Sequence, residues 1–564
     1  MTQHATITLV AIAVVLSTAL SGCEEGPPPT TAPRSDLTPT SADITLANMA
    51  PEASYGTVSR GQESIRRLTR EQFVRAIHDL FGPDIVVPRV AEPDVTRGGL
   101  RAIGASSLTY SPRGVESVET AAFEIAAQVL DSPAGQEKLV PCMPTGSTDE
   151  TCARTVLADV AARAWRRPVS QGEVDGLVAL ANSAGEVLDD FYEGLAYGVA
   201  AILQSPYFLF RIEVGAEESG AERRLSDHQL AARLSFFLWN SPPDAILREA
   251  AASGQLKTRE GLFGQAIRLL NDPQARTGLR ALFNDYLRLY ELDHLTKDPT
   301  VFEHFNDKLG THAREETLRL IEDLIFDVPR DFRELMTSQV TFINPMLAAI
   351  YQVPAPEPDG FARVRLPDEL GRAGLMGHVS FLAVHAHSRA SSATRRGVAV
   401  RTILLCQEIP SPPVDVDTSI PEPSAEVQTL RERVASHLES PSCAGCHQLT
   451  DPIGLGLENF DGIGRYRETE YNAQIDPSGT LDGVDFADAV ELGQAIREHE
   501  YFVPCVVKVL SRYAVGRMES REEGEWIDIL VNRFQEHEYK LKPLILELIM
   551  SPIFRNVGAL KEAQ

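Results

Sequence analysis

Between Thr69 and Pro83 the apolar residues Phe73, Ile77, Leu80 and Phe81 recur at three- and four-residue intervals, the spacing that gathers side chains on one helix face. Thr69 and Gln72 stand where a capping box closes a first turn, and Gly82-Pro83 stops the run, so a helix is predicted here. The same grammar returns at Ser170 with Glu173 and at Ser226 with Gln229, each ahead of another stretch of helical spacing. Alternating, period-two segments are scarce, and the pattern predicts a mainly α-helical protein made of several consecutive helical domains. Two heptapeptides, Ile202–Phe208 and Leu548–Phe554, echo each other around a Ser-Pro pair. Proline denies the helical region to the residue before it, so both read as helix ends.

A chain of 564 residues is too long for one core. Pattern breaks and Pro-rich junctions at 354–358 and 410–423 divide it into helical domains at 61–135, 136–215 and 222–353, a segment at 366–468 and a C-terminal helical domain at 472–558. Residues 23–60, rich in Pro, Thr, Ser and Ala, read as a flexible tether. Hydrophobic residues make up 43% and charged residues 23%, as in ordinary globular chains. A net charge of −26 repels phosphate backbones, and nucleic acid is not an expected partner.

The apolar run from Ile7 to Leu20 is too short to span a bilayer but suits the hydrophobic region of a signal peptide. It ends in Leu20-Ser21-Gly22-Cys23, which resembles a bacterial lipobox, although no Lys or Arg precedes the run. Residues 1–22 are therefore expected to be a lipoprotein signal peptide and Cys23 the acylated residue that holds an exported protein to the membrane. Glu24 rather than Asp after the cysteine points to the outer membrane of the cell envelope.

One motif carries specific chemistry. Cys443-Ala444-Gly445-Cys446-His447 supplies two thiols spaced for thioether bonds to haem vinyl groups and an adjacent imidazole able to ligate the iron. A redox disulfide between the two cysteines, or a zinc site shared with His447, is the rival chemistry. Export favours one covalent haem c, because an exposed dithiol outside the cytoplasm tends to oxidise. The seven cysteines then form a closed ledger: Cys23 is acylated, Cys443 and Cys446 take haem, Cys142 pairs with Cys152, and Cys406 pairs with Cys505.

A ligating imidazole usually donates its second ring N–H to a fixed acceptor. By similarity to small c-type cytochromes, that acceptor is expected to be the Pro452 carbonyl. Arg465 and Arg467 follow in a glycine-rich stretch and are read either as partners of haem propionates or as solvated loop charges. The sixth iron ligand decides between electron transfer and oxygen or peroxide chemistry. Met518 is the favoured residue, with His437, His385 and His387 as alternatives and Met550 read as core. His312 with Glu315 and Glu316 on one helix reads as a solvated face rather than a metal site.

Several segments together resemble the large secreted planctomycete and myxobacterial proteins assembled from consecutive domains of unknown function with a cytochrome-like C-terminal motif. They are Arg67–Phe73 with Asp79–Gly82, Arg166-Arg167-Pro168, Leu225-Ser226 with Leu234–Trp239, Thr341–Asn344, the haem motif with Asp451–Gly454, Leu457–Asp461 and Gly464–Arg467, and Tyr513–Arg517. Ala393 departs from a pattern that usually has proline there. The resemblance implies architecture more than activity. It leaves a single-electron carrier with a redox partner protein as the leading expectation, a peroxidase-like or oxygen-activating haem enzyme as the runner-up, and a non-redox surface protein that binds polysaccharide as a third reading.

Overall fold

The computed structural model describes residues 30–31, 44–55, 64–90, 92–215, 222–410, 420, 422–424, 428–439 and 441–558. The expected signal peptide and Cys23 lie outside the described residues, and so does the side chain of His437.

The molecule is mainly α-helical, and among the described residues its helices gather round two large hydrophobic cores and a small third one of Ala393, Leu430, Val434 and Leu455, rather than one for each expected domain. The N-terminal core joins the segments 61–135 and 136–215. Strand β1 (Ser64–Arg67) leads into α1 (Arg70–Phe81), followed by α2 (Pro112–Leu130), α3 (Glu150–Trp165), α4 (Gln171–Leu188) and α5 (Phe191–Gln204). Strand β2 (Phe210–Glu213) then returns antiparallel to β1, with Ile65 opposite Ile212. Helices α4 and α5 touch backbone to backbone at Gly185 and Gly194, where an added Cβ on Gly194 would come within 2.5 Å of the Ala181 carbonyl. A disulfide joins Cys142 to Cys152 at the start of α3.

The larger core runs without interruption through the segments expected as separate domains at 222–353, 366–468 and 472–558. Its chain begins with β3 (Glu222–Arg224), α6 (Asp227–Leu238), α7 (Arg259–Asn271), α8 (Gln274–Tyr286) and α9 (Leu309–Glu322). Strand β4 (Val340–Ile343) pairs antiparallel with β5 (Ala362–Arg365), whose other edge takes Thr30 and Thr31. Next come α10 (Ala393–Ala399), α11 (Leu430–Glu439), α12 (Pro441–Leu455) and β6 (Gly479–Leu481). The chain closes with α13 (Phe502–Val515), α14 (Gly524–Glu536), α15 (Leu541–Met550) and β7 (Asn556–Gly558), which pairs with β3. A disulfide between Cys406 and Cys505 ties the stretch before α11 to α13.

All three capping boxes read from the sequence are formed, at Thr69, Ser170 and Ser226. The internal echo is also structural, since α5 and α15 each stop at Ser-Pro, make one further helical turn and pass into a strand. The tether expected over 23–60 requires correction, because residues 44–55 lie against the larger core. Met49, Ala50 and Tyr55 are buried, the Ala50 N–H donates to Glu547, and Trp526 Nε1 donates to the Tyr55 carbonyl at 2.5 Å. Met49 and Tyr55 supply the apolar area that the surrounding Pro and Thr lack, and burying each is worth roughly 1.5–3 kcal/mol.

Candidate functional site

The motif occupies the first turns of α12. Cys443, Cys446 and His447 stand at i, i+3 and i+4, so one helical stripe presents all three. Both cysteines are partly exposed and lie outside the two disulfides. The buried side of the helix is held against α10, where Gly454 abuts the Ala393 carbonyl and Gly397 abuts the Thr450 carbonyl. An added Cβ would lie 1.7 and 1.9 Å from those oxygens, so glycine at both positions permits the close crossing. The sequence departure at Ala393 thus sits at the contact point of two helices.

His447 Nδ1 meets Asp451 Oδ2 at 2.7 Å. The acceptor is the carboxylate one helical turn on and not the Pro452 carbonyl, which lies beside Gly479 instead. Helix geometry is the reason: the side chain at i+4 shares the face of residue i, whereas the Pro452 carbonyl points along the axis toward the helix C-terminus, away from His447. Asp451 is buried, and its other oxygen accepts from the hydroxyls of Thr394 at 2.8 Å and Thr450 at 3.3 Å. With Nδ1–H donated to a carboxylate, the imidazole lone pair belongs to Nε2, the atom suited to an axial bond. From sequence Asp451 carries no role beyond its place in the Asp451–Gly454 segment, and Thr394 carries none. An acid four residues after a histidine is the signal that reading the motif as helix would have exposed.

The glycine-rich stretch after α12 is pinned from inside. Arg396 of α10, fully buried, donates to the carbonyls of Leu457 at 2.8 Å, Phe460 at 2.9 Å and Asp461 at 2.6 Å. Burial pushes its guanidinium down to about 10. Arg467 donates to Glu458 at 2.9 Å and to Ser391 at 3.1 Å, while Arg465 makes a surface contact with Glu303 at 3.4 Å. Arg467 is therefore part of the loop's own scaffold, and Arg465 lies at the surface beside Glu303.

Met518 does not face His447. Its sulfur packs on Gly98, in the segment between α1 and α2, whereas α12 packs on α10, α11 and β6. The cause is the turn at Gly516, which is in the left-handed region and brings the chain across Arg66. His385 packs edge-on to Phe381 at 4.8 Å, and burial among Arg288, Arg395, Arg396 and Lys297 pushes its imidazole down to about 3. His387 is exposed, and its carbonyl accepts from Lys297. Met550 is buried in the larger core. Among the described residues no group of three or more His, Cys, Asp or Glu is gathered to hold a metal ion, and no helix is long and apolar enough to cross a membrane.

A second polar cluster lies wholly inside the larger core. Glu316 accepts from Tyr351 at 2.7 Å and from Thr341 at 2.7 Å, and His378 Nδ1 meets Thr317 at 2.9 Å. Glu316 had been read as part of a solvated helix face, yet it is fully buried, because α9 turns this side onto β4 and the Tyr351 ring. Burial pushes its carboxyl up to about 7 and the His378 imidazole down to about 3.

Five families, each described as a protein of unknown function, match consecutive segments: DUF1587 over 66–131, DUF1595 over 152–213, DUF1592 over 225–353, DUF1588 over 372–470 and DUF1585 over 482–554. No curated protein and no solved structure matches the chain. The chain is thus a multidomain protein built from five consecutive domains, each matching a family of unknown function.

Proposed function

We propose that this protein is a mono-haem c-type electron carrier of the cell envelope, with Cys443 and Cys446 as the attachment residues and His447 as the axial ligand. The observation that carries the reading is the 2.7 Å bond from His447 Nδ1 to buried Asp451 on the same helix that presents two thiols outside the disulfides. A bound haem would supply one-electron chemistry. The protein's own part is to orient: Thr394 and Thr450 fix Asp451, Asp451 fixes the ring and its tautomer, and the two glycine contacts fix α12 on α10. Zinc is less well supported, since among the described residues no three His, Cys, Asp or Glu side chains are gathered to hold a metal ion.

The reading includes export and acylation of Cys23 and makes a redox protein the partner. Expression in a bacterium that assembles c-type haem, followed by a haem stain on a denaturing gel, tests it. A stained band that disappears in Cys443→Ser/Cys446→Ser supports the proposal. An unstained wild-type band rejects it.

A further inference from the structure

The two cores meet at a buried ionic knot with more cations than anions. Glu213 of β2 takes Arg66 on one oxygen at 2.5 Å and Arg233 on the other at 2.5 Å, which uses both carboxylate oxygens. Arg211, two residues earlier, is 7% exposed, and its buried Nε meets no hydrogen-bond partner. Its guanidinium lies 4.9 Å above the Phe236 ring, a contact that offsets only part of a buried charge. Three guanidinium groups thus share one carboxylate, and arginine does not shed its proton in proteins.

Beside Arg211 lies a cavity of about 10 Å³, close to the space one water-sized group needs. Its walls include Phe236, Phe237 and alanines, and its polar groups are Arg211, Thr69, Gln72 and Tyr513. Gln72 is committed, donating to Asn240 and accepting from the Thr69 N–H. Thr69 Oγ1 accepts from the Gln72 N–H, which leaves its hydroxyl hydrogen to point elsewhere. Tyr513 brings a second hydroxyl to the same lining. No carboxylate lines this cavity. Glu71, Asp94 and Asp285 line a larger neighbour of about 80 Å³ instead.

We propose that the small cavity binds one monovalent anion of halide size, with Arg211 as its counter-charge and the Thr69 and Tyr513 hydroxyls as its donors. Thr69 and Arg211 come from the N-terminal unit and Tyr513 from α13 of the larger one, so the anion fastens the two together. The apolar walls exclude larger, hydrated anions.

Thermal unfolding of the full chain in sodium chloride, sodium bromide or sodium gluconate at equal ionic strength tests this, since screening is then constant and only specific binding differs. The midpoint should rise saturably with chloride and bromide and not with gluconate. Arg211→Gln should abolish the difference between salts, and Tyr513→Phe, which keeps the ring, should raise the half-saturating bromide concentration about tenfold. If Arg211→Gln does not fold, Tyr513→Phe carries the test alone. Crystals soaked in bromide should show its anomalous signal beside Arg211. Equal midpoints in bromide and gluconate, an unchanged salt response in either variant, or water alone in the cavity of the soaked crystals would overturn the proposal.

Discussion

The motif helix and the junction between the cores solve opposite problems with charged and polar side chains. On α12 the reactive groups face outward, and a single buried carboxylate, Asp451, steadies them from behind. At the junction the charges face inward, and Glu213 stands among Arg66, Arg211 and Arg233 with no solvent to dilute them. The first arrangement spends little stability on function. In the second, each ion is held in place by the others, so removing one exposes the desolvation cost of the rest. The lesson is that the chemistry nearest the surface should tolerate substitution better than the interior ionic cluster.

That contrast can be broken most sharply at Glu213. Glu213→Gln leaves the buried Arg66 and Arg233 guanidinium groups without the carboxylate they share and should destabilise the protein by about 3–5 kcal/mol, read from urea unfolding. A loss below about 1 kcal/mol would mean that the knot is not the fastening described.

Glu316 sharpens the comparison through pH. Its carboxyl, pushed up to about 7 by burial, holds a proton in the folded state that it gives up near 4.5 when unfolded. Its contribution is therefore complete below pH 4.5 and is lost as the pH climbs through 7. His378, pushed down to about 3, works in the other direction and costs stability as the pH falls below 6.5. Glu316→Gln should accordingly gain on wild type between pH 5 and pH 8, by on the order of 3 kcal/mol. Parallel stability curves for the two proteins would show that Glu316 does not titrate in this range.

The smallest effect belongs to the motif helix. Asp451→Asn keeps the shape but replaces a charged acceptor with a neutral one, weakening the donation of electron density through His447. Covalent haem should remain while the reduction potential rises by about 60 mV, a tenfold change for a one-electron couple. An unchanged potential would reduce Asp451 to packing.

Legibility followed sequence distance. The capping boxes at Thr69, Ser170 and Ser226 are local patterns, and local rules placed them at helix starts; the motif from Cys443 to His447 was legible as a spacing but not as the helix that carries it. The junction draws on residues 66, 211, 213, 233 and 513, which no periodicity connects, and it went unread. Glu316 failed for a related reason, because a helical acid reads as solvated until the strand and tyrosine that cover it are known. Pro452 and Met518 were chosen by analogy with smaller proteins. Here the helix continues through Pro452, and the Gly516 turn carries Met518 to Gly98. The C-terminal segments that match separate families share one core, because Pro-rich junctions mark breaks in the chain, not breaks in packing.

Intact-mass spectrometry of the protein purified from a host that matures c-type cytochromes tests the proposed haem at α12 most directly. The predicted result is a mass increment of one haem, stable to denaturation and absent from Cys443→Ser/Cys446→Ser. An unmodified wild-type mass, or an increment that survives the double substitution, would contradict it.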